Sequence, residues 1–157
     1  MSEYSMSQYR KELLYRKANG KKVLNDYLGK IASLFPAEDR PEIVPLEETD
    51  IALNRFKEAS DRLHREATRI SRGELHTELS AMRGHYGSFY VLIDEDWKYC
   101  GMLLTRSMEG LNVSVQFGDR ILNDLIFISA DMSVATSFDF FEISGNYLID
   151  VQRWRAE

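Results

Sequence analysis

The apolar residues of this 157-residue chain change their period once, at about Gly84 to Gly87, and that change constrains the fold more than any other feature. Before it, apolar side chains recur every three or four residues, as on one face of a helix. After it they come in short runs or alternate one by one, as in strands. A chain that is helical first and strand-rich second belongs to the α+β class.

In the first part, Leu13, Leu24, Tyr27, Leu28, Ile31 and Leu34 form a helical stripe over about residues 5–35, as one helix or as two with a kink at Asn19-Gly20. Residues 35–45 hold all three prolines and read as a loop. A second helix follows, in which Leu53, Phe56, Ser60, Leu63, Ala67 and Ile70 recur at three-four spacing. Glu47, Glu48, Thr49 and Asp50 supply a cap and negative charge at its start, and Gly73 follows its end. Residues 74–82 predict a short third helix with Leu75, Leu79 and Met82 on one side.

In the second part the strand candidates are residues 89–93, 97–105, 111–117, 125–128, 136–142 and 147–154. Of these, residues 111–117 alternate strictly between apolar and polar. The connections Asp94-Glu95-Asp96 and Ser144-Gly145-Asn146 are short and turn-forming, which implies antiparallel neighbours. The expected architecture is a single domain over 1–157. Residues 1–83 are mainly helical, and residues 88–154 form a mostly antiparallel sheet of five or six strands with the N-terminal helices packed on one face.

Several classes of chemistry find no support. His64, His76 and His85 lack metal-ligand spacing, and His76-Thr77-Glu78 lacks the downstream cysteine pair that a zinc deaminase needs. No glycine-rich phosphate cradle or Gly-x-Ser-x-Gly elbow occurs. The lone Cys100 sits in an apolar run, where a buried, inert thiol is expected rather than a nucleophile. The expectation is therefore a protein that is not an enzyme and takes no metal or other cofactor. A site built from an unrecognised pocket near His85 and Tyr86 stays open as an enzymatic alternative. No run of about eighteen uncharged apolar residues occurs, and the first twenty residues lack a secretion signal, so a soluble cytoplasmic protein with no membrane partner is expected.

Charge divides unevenly. Residues 1–80 carry 14 Lys/Arg and 14 Asp/Glu, whereas residues 81–157 carry 6 and 11, so the whole net charge of -5 resides in the strand-rich part. The first helix is basic, with Arg10, Lys11, Arg16, Lys17, Lys21, Lys22 and Lys30. In an acidic chain this reads as a solvated face rather than a nucleic-acid site. The acids fall largely at strand ends and turns: Asp94, Glu95, Asp96, Asp119, Asp124, Asp131, Asp139, Glu142 and Asp150. They either present a negative surface to a basic partner or guard exposed strand edges. Trp97, Tyr147 and Trp154 are candidate anchors beside them. Trp154 also fits a latch folded into the core.

The C-terminal half carries a resemblance. Residues 124–131 (DLIFISAD), 138–142 (FDFFE) and 145–154 (GNYLIDVQRW) resemble the ending of bacterial immunity proteins from contact-dependent inhibition and related polymorphic toxin systems. The likeness covers roughly residues 89–154. It departs from the family pattern at Ala135-Thr136-Ser137, where a glycine is common, and at Arg153-Trp154, where the family often ends Trp-Gly-x-Trp. The resemblance implies a small cytoplasmic protein that covers the active or substrate-binding surface of a cognate toxin, commonly a basic nuclease, without chemistry of its own. Carboxylates of such a protein stand in for the phosphates the toxin would otherwise hold. The expected partner-binding residues are Asp94, Glu95, Asp96, Trp97, Asp131, Asp139, Glu142, Tyr147 and Trp154. The alternative is a non-catalytic regulatory or scaffold domain that binds a peptide or a second copy through residues 111–117 as an exposed strand.

Overall fold

The computed structural model describes residues 3–36, 41–118 and 122–156, with side chains from residue 6 onward. Asp119 and Arg120, counted among the charges above, and residues 37–40 of the proline segment lie outside the described residues.

Helix α1 (Glu3–Leu34) runs unbroken through Asn19-Gly20. Gly20 is there for close approach, because a Cβ at this position would stand 2.6 Å from the Tyr99 carbonyl oxygen. Its buried stripe is Leu13, Arg16, Gly20, Tyr27, Ile31 and Leu34, and Leu24 and Leu28 lie at its exposed margin. The α1 terminus is closed by Asn112, whose backbone N–H donates to Leu34 O and whose side-chain amide donates to Ser33 O.

The sheet has seven strands, against the expected five or six. They are β1 (Glu42–Ile43), β2 (His64–Ser71), β3 (Phe89–Ile93), β4 (Leu103–Thr105), β5 (Asp124–Ser129), β6 (Ala135–Ile143) and β7 (Asn146–Arg155), in the order β1-β4-β3-β5-β6-β7-β2, every pair antiparallel. The two additional strands are the edges. β1 lies within the segment read as a loop. β2 corrects the second helix: α2 (Leu46–Ser60) stops at Ser60, and residues 64–71 pair along their whole length with β7. The three-four spacing of Leu63, Ala67 and Ile70 is accidental, since in β2 only Ile70 is buried, opposite Ile149. Pairing with β7 satisfies the backbone of two strands at once, and that outweighs weak helix propensity around Thr68 and Ile70.

Two further strand readings are corrected. Residues 97–100 form a short helix, α4 (Trp97–Cys100), followed by a turn at Gly101 (φ 97°) into β4. Residues 111–117 form no strand. Asn112 Oδ1 accepts the Ser114 N–H, and the turn this makes brings Leu111, Val115 and Phe117 all inward. Alternation marks burial here without a ladder, and the peptide-binding strand expected of the alternative reading is absent.

Helix α3 (Leu75–Arg83) buries Leu75, Leu79 and Met82, as expected. The helices pack on the sheet but not all on one face. The C-terminal half of α1 and α3 cover the face of Val91, Phe127, Phe138 and Ile149. In contrast, α2 lays Ala52, Leu53 and Phe56 on the opposite face, against Leu92, Ile128, Ala135 and Trp154. Cys100 is half-buried rather than buried, and its Sγ donates to Gly20 O at 3.5 Å. Among the described residues no helix is long and apolar enough to cross a membrane.

Candidate functional site

α2 covers only part of its face of the sheet. The apolar cluster beneath it stops at Ile126, Ala135 and Trp154 and does not reach Phe141 or Leu148, farther along the same face. On this uncovered half the strand registers align four charged residues in one row. Asp124 of β5 stands opposite Asp139 of β6, Asp139 opposite Asp150 of β7, and Asp150 opposite Arg69 of β2. Directly opposed residues of antiparallel strands project to the same face with Cβ atoms about 4.5–5.5 Å apart, and like charges so placed are destabilising.

Only the last pairing is complementary. Arg69 Nε donates to Asp150 Oδ1 at 3.0 Å, with the guanidinium carbon 4.7 Å from the centre of the Phe141 ring. At the other end burial, then hydrogen bonding and repulsion with Asp139, push the Asp124 carboxyl up to about 7 from an ordinary 3.8. The native state thus holds a proton that the unfolded chain releases between about pH 4 and pH 7. The sign follows: this group favours the native state most below pH 4, and that advantage is lost as pH rises through 7. Asp124→Asn is expected to raise stability at pH 8 by about 0.5–1 kcal/mol and to flatten the pH dependence, as read from urea midpoints at pH 5 and pH 8. An unchanged pH slope would show that the pair does not repel.

The nine residues expected at a partner surface are not brought together as one patch. Asp94 and Asp96 are largely withdrawn from solvent, with side chains 13% and 15% exposed. Both pair with Lys30 of α1, at 2.7 and 3.2 Å. Asp94 Oδ1 also accepts the N–H groups of Asn123 and Asp124, so this residue builds the turn. Glu95 between them is 73% exposed and pairs with Lys98 at 3.2 Å. Glu142 and Tyr147 stand opposite each other on the α3 face, on the other side of the sheet from Asp139. Tyr147 stacks on Phe140 with ring centroids 5.6 Å apart. Trp97 and Trp154 pack with α2; Trp154 meets Phe56 edge-on at 5.7 Å and so takes the latch role.

Asp131 lies at the opposite end of the sheet, in the β5–β6 turn. Its Oδ1 accepts from Ser129 Oγ (2.7 Å), Ser133 Oγ (2.6 Å) and Ser133 N (3.0 Å). These bonds, Ser133 foremost, hold the carboxyl below its ordinary range. A cavity of about 420 Å³ beside it is lined by His85, Tyr86, Ser88, Ser129 and Ser133; it includes the two residues of the expected enzymatic pocket but lies between a loop and a turn, not between helices and sheet. Both serine hydroxyls donate to Asp131, and no imidazole among the described residues hydrogen-bonds to either, so no nucleophile–base pair is formed. The described residues contain no group of three or more His, Cys, Asp or Glu able to hold a metal.

Sequence reasoning therefore found Asp139 but not Asp124 or Asp150 as its partners. One signal was within reach. Ser144-Gly145 is a two-residue loop with both φ values positive, which pairs Ile143 with Asn146 and by counting back pairs Asp139 with Asp150. No protein-family model, no curated protein and no solved structure matches the chain.

Proposed function

We propose that this chain is a non-catalytic binding protein that offers the acidic half-face of its sheet to a basic protein, and that the partner is a toxin which it neutralises as an immunity protein in the cytoplasm. The observation that carries the reading is the row Asp124–Asp139–Asp150. Asp139 faces a carboxyl on either side, which costs the free protein stability, and a basic surface laid across the row recovers that cost and takes the place of the proton held on Asp124. Rows on adjacent strands repeat at about 4.7–4.9 Å, a spacing that suits Lys and Arg side chains reaching down from a partner. Glu95, at the same end of the sheet, extends the negative field. Occupying a nuclease's phosphate-binding surface requires this charge and no catalytic group.

The test is co-expression with the neighbouring reading frames of its native genome, scoring growth and co-purification. With a partner in hand, Asp139→Lys and Glu95→Lys are expected to slow association about tenfold at low salt, with the difference shrinking as salt is raised. Harmless neighbours with no stable complex, or association rates indifferent to both reversals, would sink the proposal. A regulatory domain that adds a strand to its sheet is the second reading, and it draws support from β2, an edge strand of 8 residues that is almost wholly exposed.

A further inference from the structure

At the end of the sheet away from the aspartate row, Tyr86 is 98% exposed, the barest large hydrophobic side chain among those described. It stands at the mouth of the cavity of about 420 Å³ that the α3–β3 loop forms with the β5–β6 turn. Gly87, with φ 89°, reverses the chain directly after it. The two walls are braced by backbone hydrogen bonds: Ala130 N donates to Ser88 O at 2.8 Å, His85 N to Met82 O at 3.1 Å, and Met132 N to Ser129 O at 2.9 Å. The cavity is thus formed before anything enters it.

Its chemistry is that of a cation receptor. Asp131 Oδ1 is saturated by three donors, which fixes the carboxylate, while Oδ2 receives no hydrogen bond and no cation pairs with the group among the described residues. The same bonds keep it ionised far below neutral pH. No lysine or arginine lines the cavity, so an anion finds no countercharge, and a metal ion would find only His85 and Asp131. A planar cation able to stack on a phenol ring and donate sideways to a carboxylate satisfies every feature at once, and that cation is a guanidinium.

We propose that this cavity receives an arginine side chain of a partner protein, with Tyr86 as the stacking platform and Asp131 as the acceptor. The source of the arginine rests on the reading of a basic protein partner; the guanidinium specificity does not, and it is tested on the free protein.

The probe is N-acetyl-arginine N-methylamide, titrated against the whole chain and followed by NMR at the Tyr86 ring and the Ser133 amide. Binding with a dissociation constant on the order of 1 mM is expected, with the uncharged citrulline analogue inert. Asp131→Asn is expected to weaken binding about tenfold or more, and Tyr86→Ala about 3–5-fold. Because Tyr86 is bare, its replacement leaves the fold intact even if Asp131→Asn disturbs the turn. Equal binding of the citrulline analogue, or indifference to both substitutions, would overturn the assignment. Free L-arginine binding tenfold tighter than the blocked probe would overturn the partner as its source and make the cavity an amino-acid site. A failed search for a toxin leaves all of these readouts in place, so the two proposals fail separately.

Discussion

Gly101→Ala is expected to destabilise the domain by about 4 kcal/mol, enough to leave a protein of ordinary stability largely unfolded at 37 °C. Two costs add. The backbone at φ 97° is strained for any residue with a Cβ, by about 1–3 kcal/mol. That Cβ would also sit 1.9 Å from the Val44 carbonyl oxygen, with Ile43 Cγ2 at 3.4 Å, so the link between β1 and β4 must move aside, at about 1–3 kcal/mol more. Movement there disturbs two buried hydrogen bonds, Tyr27 Oη to Gly101 O and Val44 N to Met102 O. Gly145→Ala is the control, because Gly145 has φ 82° but nothing within 4 Å of its virtual Cβ. It should lose only the conformational part, about 1 kcal/mol. Equal losses in urea denaturation for the two variants would show that the close approach at Gly101 carries no cost.

The second large effect is expected at Arg16, which is buried on the inner face of α1. Its guanidinium makes a fork with Asp50 of α2 (2.8 and 3.0 Å), and its Nε donates to Lys98 O of α4 at 2.6 Å. Tyr9 completes the cluster by donating to Asp50 Oδ2 at 2.6 Å; burial, then this bond, push its phenol up to about 12. One side chain thus ties three helices together. Arg16→Met leaves the Asp50 carboxylate with only the Tyr9 hydroxyl and takes the guanidinium donor from the Lys98 carbonyl, a loss of about 2–3 kcal/mol, below the full cost for a wholly buried pair because Asp50 keeps Tyr9 and some solvent. Arg16→Lys retains charge but not the fork, and should recover less than half. The double variant Arg16→Met/Asp50→Leu should recover more, because it removes the stranded charge with its partner. Additive losses in that double-mutant cycle would mean the pair is not coupled.

What could be read in the sequence depended on how local the signal was. α3 and the strands β3, β5, β6 and β7 declare themselves through runs whose period matches their environment. β2 did not, because an edge strand with one buried residue has no period of its own, and the apolar residues it shares with a helical spacing misled. Residues 111–117 failed in the opposite sense, since a side-chain turn at Asn112 imitates the strand period while breaking the strand. Asp124, Asp139 and Asp150 are each visible as an acid inside or at the start of a strand. Their alignment, however, depends on strand order and register, which only the hairpin at Ser144-Gly145 encodes locally. The same limit applied to Asp94 and Asp96: their neutralisation by Lys30 joins residues more than sixty positions apart, so counting charge along the chain overstated the field at that turn.

The pairing of β2 with β7 also dictates an order of events when the chain is made. Residues 64–71 emerge about 80 residues before the strand they need, and until then their backbone groups face water or each other. α1 waits similarly for α4. Sheet completion is therefore a late, long-range closure, and loops of that size close slowly. A chain interrupted before β7 leaves both β2 and β6 with unpaired edges, one mostly polar and the other carrying Phe138, Phe140 and Phe141, and the aromatic edge is where such fragments would stick to one another.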